Sequence, residues 1–135
     1  MVKDTYMVND PIADMLIRIK NGYLAGKRTV NVPHSNVKEA LARVLEKYAY
    51  IGSVSKAETG PDLKVTLLYQ EDGRPAMSQV QRISKPGLRR YAGVADLAKI
   101  RQGLGFVIVS TPKGIMTHTE AKKQRLGGEV ICKIW

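Results

Sequence analysis

Hydrophobic residues recur at helical spacing in two segments of the first half of the chain. Asp10 can cap a helix that begins at Pro11, and apolar residues then return every three or four positions up to Tyr23. Ser35 can cap a second helix, whose apolar stripe extends from Val37 to Tyr48. The first half therefore predicts helices mixed with strands, the strands at 29–32, 51–56 and 63–70.

Strand patterns dominate the second half. An apolar run at 106–109, introduced by Gly103-Leu104-Gly105, ends in two hydroxyl residues, and 112–114 then turn the chain. Thr117 and Glu120 match a capping box that opens a short helix. Further extended segments are expected at 76–83, 88–91 and 129–135. We predict an α+β fold of two small domains packed rigidly together, 1–80 and a strand-dominated, basic 81–135.

The positive charge of the chain is concentrated in that second half. The 135 residues carry a net charge of +10; residues 82–135 contain 11 basic and 3 acidic side chains, whereas residues 1–81 contain 11 and 9. Such a field attracts polyanions and favours nucleic acid as a partner. An anionic membrane would instead require a basic amphipathic helix with bulky anchors, and the segment 120–125 is too short for one.

Other features exclude several classes of protein. No apolar run approaches a membrane span, the N-terminus lacks the hydrophobic core of a signal peptide, and one cysteine allows no internal disulfide. We expect a cytoplasmic protein without a membrane partner.

Residues with catalytic potential are few and poorly spaced. His34 and His118 are not at metal-ligand spacing from each other or from Cys132, and lone loop histidines are usually polar surface residues. Cys132 alternates with Val130 and Ile134, which predicts a small core side chain on one strand face. Ser110 has no base or orienting acid at a suitable spacing. We therefore predict no enzyme activity, no metal and no cofactor.

Candidate binding groups are denser than candidate catalytic groups. The segment 82–91 combines four cations, a Pro-Gly turn and Tyr91, which could stack on a base; a solvated hairpin with Tyr91 in the core is an equal alternative. Ser110 and Thr111 would present hydroxyls beside Lys113 and free backbone amides. The Gly127-Gly128 pair permits close backbone approach next to Glu129, and the first helix offers Arg18, Lys20 and Asn21 as a second contact face.

Four motifs together resemble a known family. They are Asn-Asp-Pro-Ile-Ala-Asp-Met-Leu-Ile-Arg-Ile-Lys-Asn-Gly at 9–22, Ser-Lys-Pro-Gly-Leu-Arg-Arg-Tyr at 84–91, Gly-Leu-Gly…Val-Ser-Thr-x-Lys-Gly-x-Met-Thr at 103–117 and Leu-Gly-Gly-Glu-Val-Ile-Cys at 126–132. In this order they resemble bacterial small-subunit ribosomal protein 8, from about Asn9 to the C-terminus. Three departures from the pattern occur, at Arg90, at Pro112 and at the pair His118-Thr119.

The resemblance implies a function. It implies two α+β domains and a primary binder of the central domain of small-subunit (16S) ribosomal RNA, a structural component that helps assemble the subunit platform beside neighbouring ribosomal proteins. Some members also repress translation of their own operon by binding a messenger site. The alternatives, in order, are a free translational repressor and a small nucleic-acid-modifying enzyme. The predicted RNA-binding residues are Arg18, Asn21, Ser84, Lys85, Pro86, Gly87, Arg89, Arg90, Tyr91, Ser110, Thr111, Lys113, Gly114, Thr117, Gly127, Gly128 and Glu129.

Overall fold

The two predicted helices and a three-stranded sheet form the first half of the molecule in a computed structural model, which describes residues 10–100 and 105–135. Helix α1 (Pro11–Leu24) begins where the Asp10 carboxylate accepts a hydrogen bond from Ala13 N, and α2 (Asn36–Lys47) begins at Ser35 in the same way. Both caps satisfy backbone amides that have no partner inside the helix. Both helix predictions are confirmed, although Val37 is exposed rather than part of the apolar stripe.

The first sheet is antiparallel; the strand predicted at 29–32 has the expected bounds, whereas the other two strands are shorter than the sequence pattern suggests. The strand order is β1-β3-β2, where the strands are β1 (Thr29–Val32), β2 (Ser53–Lys56) and β3 (Leu63–Thr66). Strand β3 alternates buried and half-buried residues, so Leu63 and Val65 face the helices. The predicted strand at 63–70 ends at Thr66, and Gln70 N bonds to Arg74 O across a local turn farther along the chain.

The second half contains a five-stranded antiparallel sheet with two short helices. The strand order is β4-β8-β6-β7, with β5 also paired to β8; the elements are β4 (Val80–Arg82), β5 (Tyr91–Ala92), α3 (Val94–Ala98), β6 (Phe106–Thr111), β7 (Gly114–Thr117), α4 (His118–Gln124) and β8 (Gly128–Ile134). The capping box at Thr117 and Glu120 is present, which confirms α4. The sequence pattern missed α3 and β7. Gly103 and Leu104, like the N-terminal segment considered for targeting, lie outside the described residues.

A bulge in β8 distributes its apolar residues between two core clusters. Ile108 pairs with Cys132 and Val109 pairs with Val130, so Ile131 is an extra residue on β8. Cys132 and Ile134 consequently join the large core that includes both first-half helices, whereas Val130 packs on a smaller core beneath α3 and α4. The expectation that Val130 shares a face with Cys132 is therefore wrong.

The large core contains side chains from both halves of the chain. Ile108, Ile131 and Cys132 pack in the same cluster as residues of α1, α2 and the first sheet. Cys132 is fully buried, as expected, and burial raises the pKa of its thiol to about 12. A mixed α+β fold with a strand-rich second half is confirmed, whereas the division at residue 80 stays a prediction. Within the described residues, no helix has both the length and the apolar character needed to cross a membrane.

Candidate nucleic-acid interface

Sheet pairing brings three of the predicted site residues into one row. Tyr91 on β5 lies opposite Glu129 on β8, and Glu129 lies opposite Ser110 on β6. Residues directly opposite one another on neighbouring strands point to the same side of a sheet, with their β-carbons about 4.5–5.5 Å apart. The row therefore presents a phenol ring, a carboxylate and a hydroxyl together on one surface.

Three loop segments surround this row and carry most of the predicted cations. We call the surface formed by residues 84–91, 110–114 and 127–129 the basic face. Lys85, Arg89, Arg90 and Lys113 are all exposed on it. Arg89 Nη1 donates to Glu129 Oε2 at 2.9 Å, and this hydrogen bond raises the pKa of the guanidinium further above its usual range. Arg89 and Glu129 therefore restrain each other's orientation.

Tyr91 is the most exposed aromatic group of the basic face. Its side chain is 72% exposed, so the alternative that places Tyr91 in the core is wrong. The turn that precedes it is closed by two backbone hydrogen bonds between Lys85 and Leu88, with Pro86 and Gly87 at its corner. Gly87 has a φ of +89°, which a type II turn requires at this position and which other residues rarely adopt.

Ser84 stabilises the segment between the turn and β5 from inside the protein. It is completely buried; its Oγ accepts a hydrogen bond from Arg90 N at 2.7 Å and donates to Arg90 O at 3.2 Å. Both hydrogen bonds fix the backbone at Arg90, next to Tyr91. Ser84 therefore positions the exposed residues of the basic face and presents no exposed hydroxyl of its own.

The two adjacent hydroxyls at the end of β6 point in different directions. Side chains alternate along a strand, so Ser110 lies on the side of Tyr91 and Glu129, whereas Thr111 lies on the opposite side. Thr111 is buried, and its Oγ1 donates to Gly114 O at 2.8 Å and accepts from Lys113 N at 3.1 Å. The expectation of free amides beside a pair of outward hydroxyls is thus wrong, because Thr111 and the Lys113 amide build the turn.

The glycine pair approaches the protein's own backbone. A β-carbon at Gly127 would lie 2.7 Å from Ala92 O, and one at Gly128 would lie 2.8 Å from the carbonyl carbon of Ser110. The glycines therefore allow close packing of the backbone against Ala92 and Ser110, and their contact with RNA stays a prediction.

Three other predicted residues lie away from the row. Thr117 is fully buried at the far end of β7 from the turn, and its hydroxyl caps α4. Arg18 and Asn21 line a separate hollow of about 580 Å³ between α1 and β1, where Arg18 also pairs with Asp14 at 2.9 Å. No described residue that lines this hollow belongs to the basic face.

A second hollow, of about 430 Å³, involves Arg82, one of the four cations of the segment 82–91 but not one of the predicted RNA-binding residues. Lys85 and Arg90 line it together with Gln81 and Arg82. The Arg82 guanidinium donates to both Asp10 carboxylate oxygens, at 3.1 and 3.3 Å, and to Ile131 O at 2.6 Å. No sequence pattern distinguishes Arg82 from its basic neighbours, because its partner lies 72 residues away.

Comparison with known proteins identifies the family. The model of the family described as ribosomal protein S8 matches residues 10–135. The chain belongs to the ribosomal protein S8 family. Three relatives named small ribosomal subunit protein uS8 match it: one from Persephonella marina at 44% identity (96% of this chain, 100% of the relative), one from Chloroflexus aurantiacus at 47% (95% and 98%), and one from Aromatoleum aromaticum at 49% (94% and 98%).

Family membership settles the broad class of function. Proteins of the S8 family are structural components of ribosomes and not enzymes, so the sequence-based prediction of no catalysis is confirmed. The chain is a small-subunit ribosomal protein located on cytoplasmic ribosomes, and RNA binding and a role in translation follow from that. Among the residues that the structure describes, no group of His, Cys, Asp and Glu side chains is arranged to hold a metal ion.

The two histidines differ in environment. His34 is at the surface and pairs with Glu39 at 2.9 Å, whereas His118 is only 2% exposed and its Nδ1 accepts a hydrogen bond from Val107 N at 3.0 Å. The expectation of a surface residue is therefore wrong for His118. Burial lowers the pKa of His118 below its usual value.

The buried histidine predicts a pH-dependent stability. Because the folded-state pKa of His118 is lower than the unfolded value of about 6.5, the unfolded chain takes up the proton first as the pH falls. The free energy of unfolding should therefore be constant above that value and decrease below it, until the folded-state pKa is reached. Urea denaturation at about pH 7.5 and about pH 5.5 measures this loss.

A matched variant separates the contribution of His118 from that of other groups. His118→Asn keeps an acceptor for Val107 N but cannot be protonated. Its stability should change less between the two pH values than that of the parent chain. An equal change in both proteins would assign the pH dependence to other residues.

Proposed function

We propose that the chain binds the central domain of small-subunit ribosomal RNA through the basic face and thereby helps to assemble the subunit platform. The observation that carries the proposal is the row of Tyr91, Glu129 and Ser110, flanked by exposed cations. A ring face, a carboxylate and a hydroxyl recognise bases and sugars by geometry, whereas the cations contact phosphates without regard to sequence.

The rigid arrangement of the row favours an irregular RNA target. A regular A-form helix hides its base edges in a deep, narrow groove, whereas an internal loop exposes bases that can stack or form hydrogen bonds. Tyr91 is exposed enough to stack on such a base. Ser110 and Glu129 stand beside it on paired strands, so an unpaired nucleotide can meet all three at once.

The ion pair between Arg89 and Glu129 supports two roles for Arg89: it supplies positive charge, and it orients the Glu129 carboxylate. Arg89 has further N–H groups besides the one that donates to Glu129, and these can contact a phosphate. The same pair holds the Glu129 carboxylate in place for a sugar hydroxyl or a base amine. Arg89 thus differs from Lys85 and Lys113, which serve as point charges.

Arg18 and Asn21 form a second contact region in this proposal. They line the hollow between α1 and β1 together with Lys27 and Asn31, and these side chains offer hydrogen-bond donors to phosphate or ribose. This hollow does not share described lining residues with the basic face, so it would contact a different part of the RNA.

Tyr91 and Lys113 provide a matched pair for testing the division of roles. Tyr91→Ala should weaken binding to the central-domain RNA by about 1–3 kcal/mol and affect a regular duplex of equal length much less, because it removes stacking. Lys113→Ala should weaken binding to both RNAs similarly and reduce the slope of log affinity against log salt by about 1. Fluorescence titration at several salt concentrations measures both effects.

Measurement of the melting temperature is the control for the Tyr91 and Lys113 variants. Both side chains are exposed, so neither variant should change the melting temperature appreciably. Equal losses on the two RNAs for Tyr91→Ala would contradict stacking recognition. A salt slope near zero for the parent chain would exclude the basic face as the RNA interface.

The same face would accept a messenger RNA site of the same shape, which is the basis for repression of its own operon. Titration of the messenger leader against the ribosomal fragment tests this directly. Competition between the two RNAs, lost in parallel in Tyr91→Ala, is the expected result for one shared face; independent binding would argue against it.

A further inference from the structure

A hollow of about 490 Å³ lies at the opposite end of β6 from the basic face. It is lined by Phe106, the first residue of β6, whereas Ser110 and Thr111 are the last residues of that strand. At about 3.3 Å per residue, the two ends are separated by roughly 16 Å. Other lining residues come from both halves of the chain: Tyr48, Tyr50, His118, Thr119 and Lys123.

Three aromatic rings form the apolar wall of this hollow. The ring centroids of Tyr48 and Phe106 are 4.6 Å apart with planes tilted by 44°, and those of Tyr50 and Phe106 are 6.3 Å apart at 86°. These angles leave no pair of parallel rings between which a nucleobase could stack. An aliphatic or bent side chain fits such a wall better than a flat base.

Two polar atoms of the lining side chains have no partner among the described residues. They are Nε2 of His118 and Oγ1 of Thr119, and both are buried. Because Nδ1 of His118 accepts a hydrogen bond from Val107 N, the neutral ring carries its proton on Nε2, which is therefore a donor. Buried donors are almost always satisfied in proteins, so an acceptor is the group that would complete the site.

The charge around the hollow favours an acidic peptide over a phosphate backbone. Lys123 is the charged residue among the described residues that line it, and the nearby Lys47 is already paired with Glu120 at 2.8 Å. RNA-binding surfaces use several cations that follow successive phosphates. One lysine beside an apolar pocket suits a single carboxylate.

We propose that this hollow receives a peptide segment of a neighbouring protein, which inserts an apolar side chain against Tyr48, Tyr50 and Phe106 and places a carboxylate beside Lys123. A backbone carbonyl of the segment accepts from His118 Nε2. The proposal does not depend on RNA binding at the basic face, since the two surfaces lie at opposite ends of β6.

Nuclear magnetic resonance titration of the full chain tests the proposal with simple probes. Acetyl-Leu-Asp-amide should shift the signals of His118, Thr119 and Phe106 with saturation in the millimolar range, and acetyl-Leu-Lys-amide should bind at least about fivefold more weakly. Thr119→Val should weaken the acidic probe without altering RNA affinity. A tetrauridylate oligonucleotide serves as the nucleic-acid control and should give no saturable shift of these signals.

Charge reversal at the rim gives the sharper test. Lys123→Glu, at an exposed position, should reverse the preference between the two peptides, whereas Lys56→Glu changes the same net charge away from the hollow and should leave the preference unchanged. No saturable shift with either peptide, equal binding of both, or saturable binding of the oligonucleotide at these residues would each overturn the proposal.

Discussion

Replacing Gly128 by alanine is expected to destabilise the fold by about 3 kcal/mol or more. A β-carbon at this position would lie 2.8 Å from the carbonyl carbon of Ser110 and 3.2 Å from the Cα of Thr111. Both atoms belong to the backbone of β6, which is hydrogen-bonded to β8 and cannot move away without breaking the sheet. The midpoint of urea denaturation measures the loss.

Gly93 offers a matched control for this substitution. A β-carbon there would meet no atom within 4 Å, and its φ of −81° is ordinary for any residue. Gly93→Ala should therefore change the free energy of unfolding by no more than about 0.5 kcal/mol. A Gly128→Ala variant as stable as Gly93→Ala would mean that β6 and β8 can separate at little cost.

The result for Gly128 also affects how RNA-binding data are interpreted. Gly128 adjoins Glu129, so distortion of the sheet would displace the row that carries the proposed function. Loss of RNA affinity in Gly128→Ala would then accompany loss of stability. Such a loss would not by itself place Gly128 in contact with RNA.

The substitution Arg82→Ala is expected to cost about 2–4 kcal/mol of stability. The Arg82 and Asp10 side chains are only 12% and 13% exposed, so removal of the guanidinium leaves a largely buried carboxylate without its partner. It also removes one of the two donors to Ile131 O at the bulge, the other being Ile83 N. Asp10 caps α1 as well, so the damage should extend to the start of that helix.

Comparison with Lys85→Ala distinguishes the loss of the ion pair between Arg82 and Asp10 from the loss of a positive charge alone. Lys85 is exposed nearby in the same segment, and its removal should change stability by less than about 0.5 kcal/mol. A double-mutant cycle should show that the stability losses of Arg82→Ala and Asp10→Ala are not additive. The reason is that Asp10→Ala removes the carboxylate that Arg82→Ala leaves unpaired. Additive losses would show that the ion pair contributes little to the fold.

Local chemistry explains which elements could be predicted from the sequence. The Asp10, Ser35 and Thr117 caps each depend on residues three positions apart, so α1, α2 and α4 were predicted correctly. Strand lengths depend on pairing between distant segments, and for that reason 63–70 and 76–83 were predicted too long. The five-residue α3 has no side-chain cap and too few turns to produce a periodic pattern.

The composition of the candidate site could be predicted, but the direction of its side chains could not. The basic turn, Tyr91 and Glu129 were visible in the sequence, and strand pairing supplied their grouping. Whether a hydroxyl is exposed depends on partners that spacing does not reveal: Ser84 bonds to Arg90, and Thr111 bonds to its own turn. His118 is likewise buried, and its Nδ1 accepts a hydrogen bond from Val107 N, eleven residues away along the chain.

The extra residue in β8 separates the requirements of the core from those of the interface. If Ile131 paired regularly with Val109 instead of forming the bulge, Val130 would fall opposite Ser110. Glu129 would then lie opposite Thr111, on the other side of the sheet from Ser110. The bulge thus shifts the alternation of β8 by one residue between the segment that carries Cys132 and Ile134 and the segment that carries Glu129. The apolar residues of β8 can then vary to suit the two cores, while the Glu129 carboxylate stays in the row with Tyr91 and Ser110.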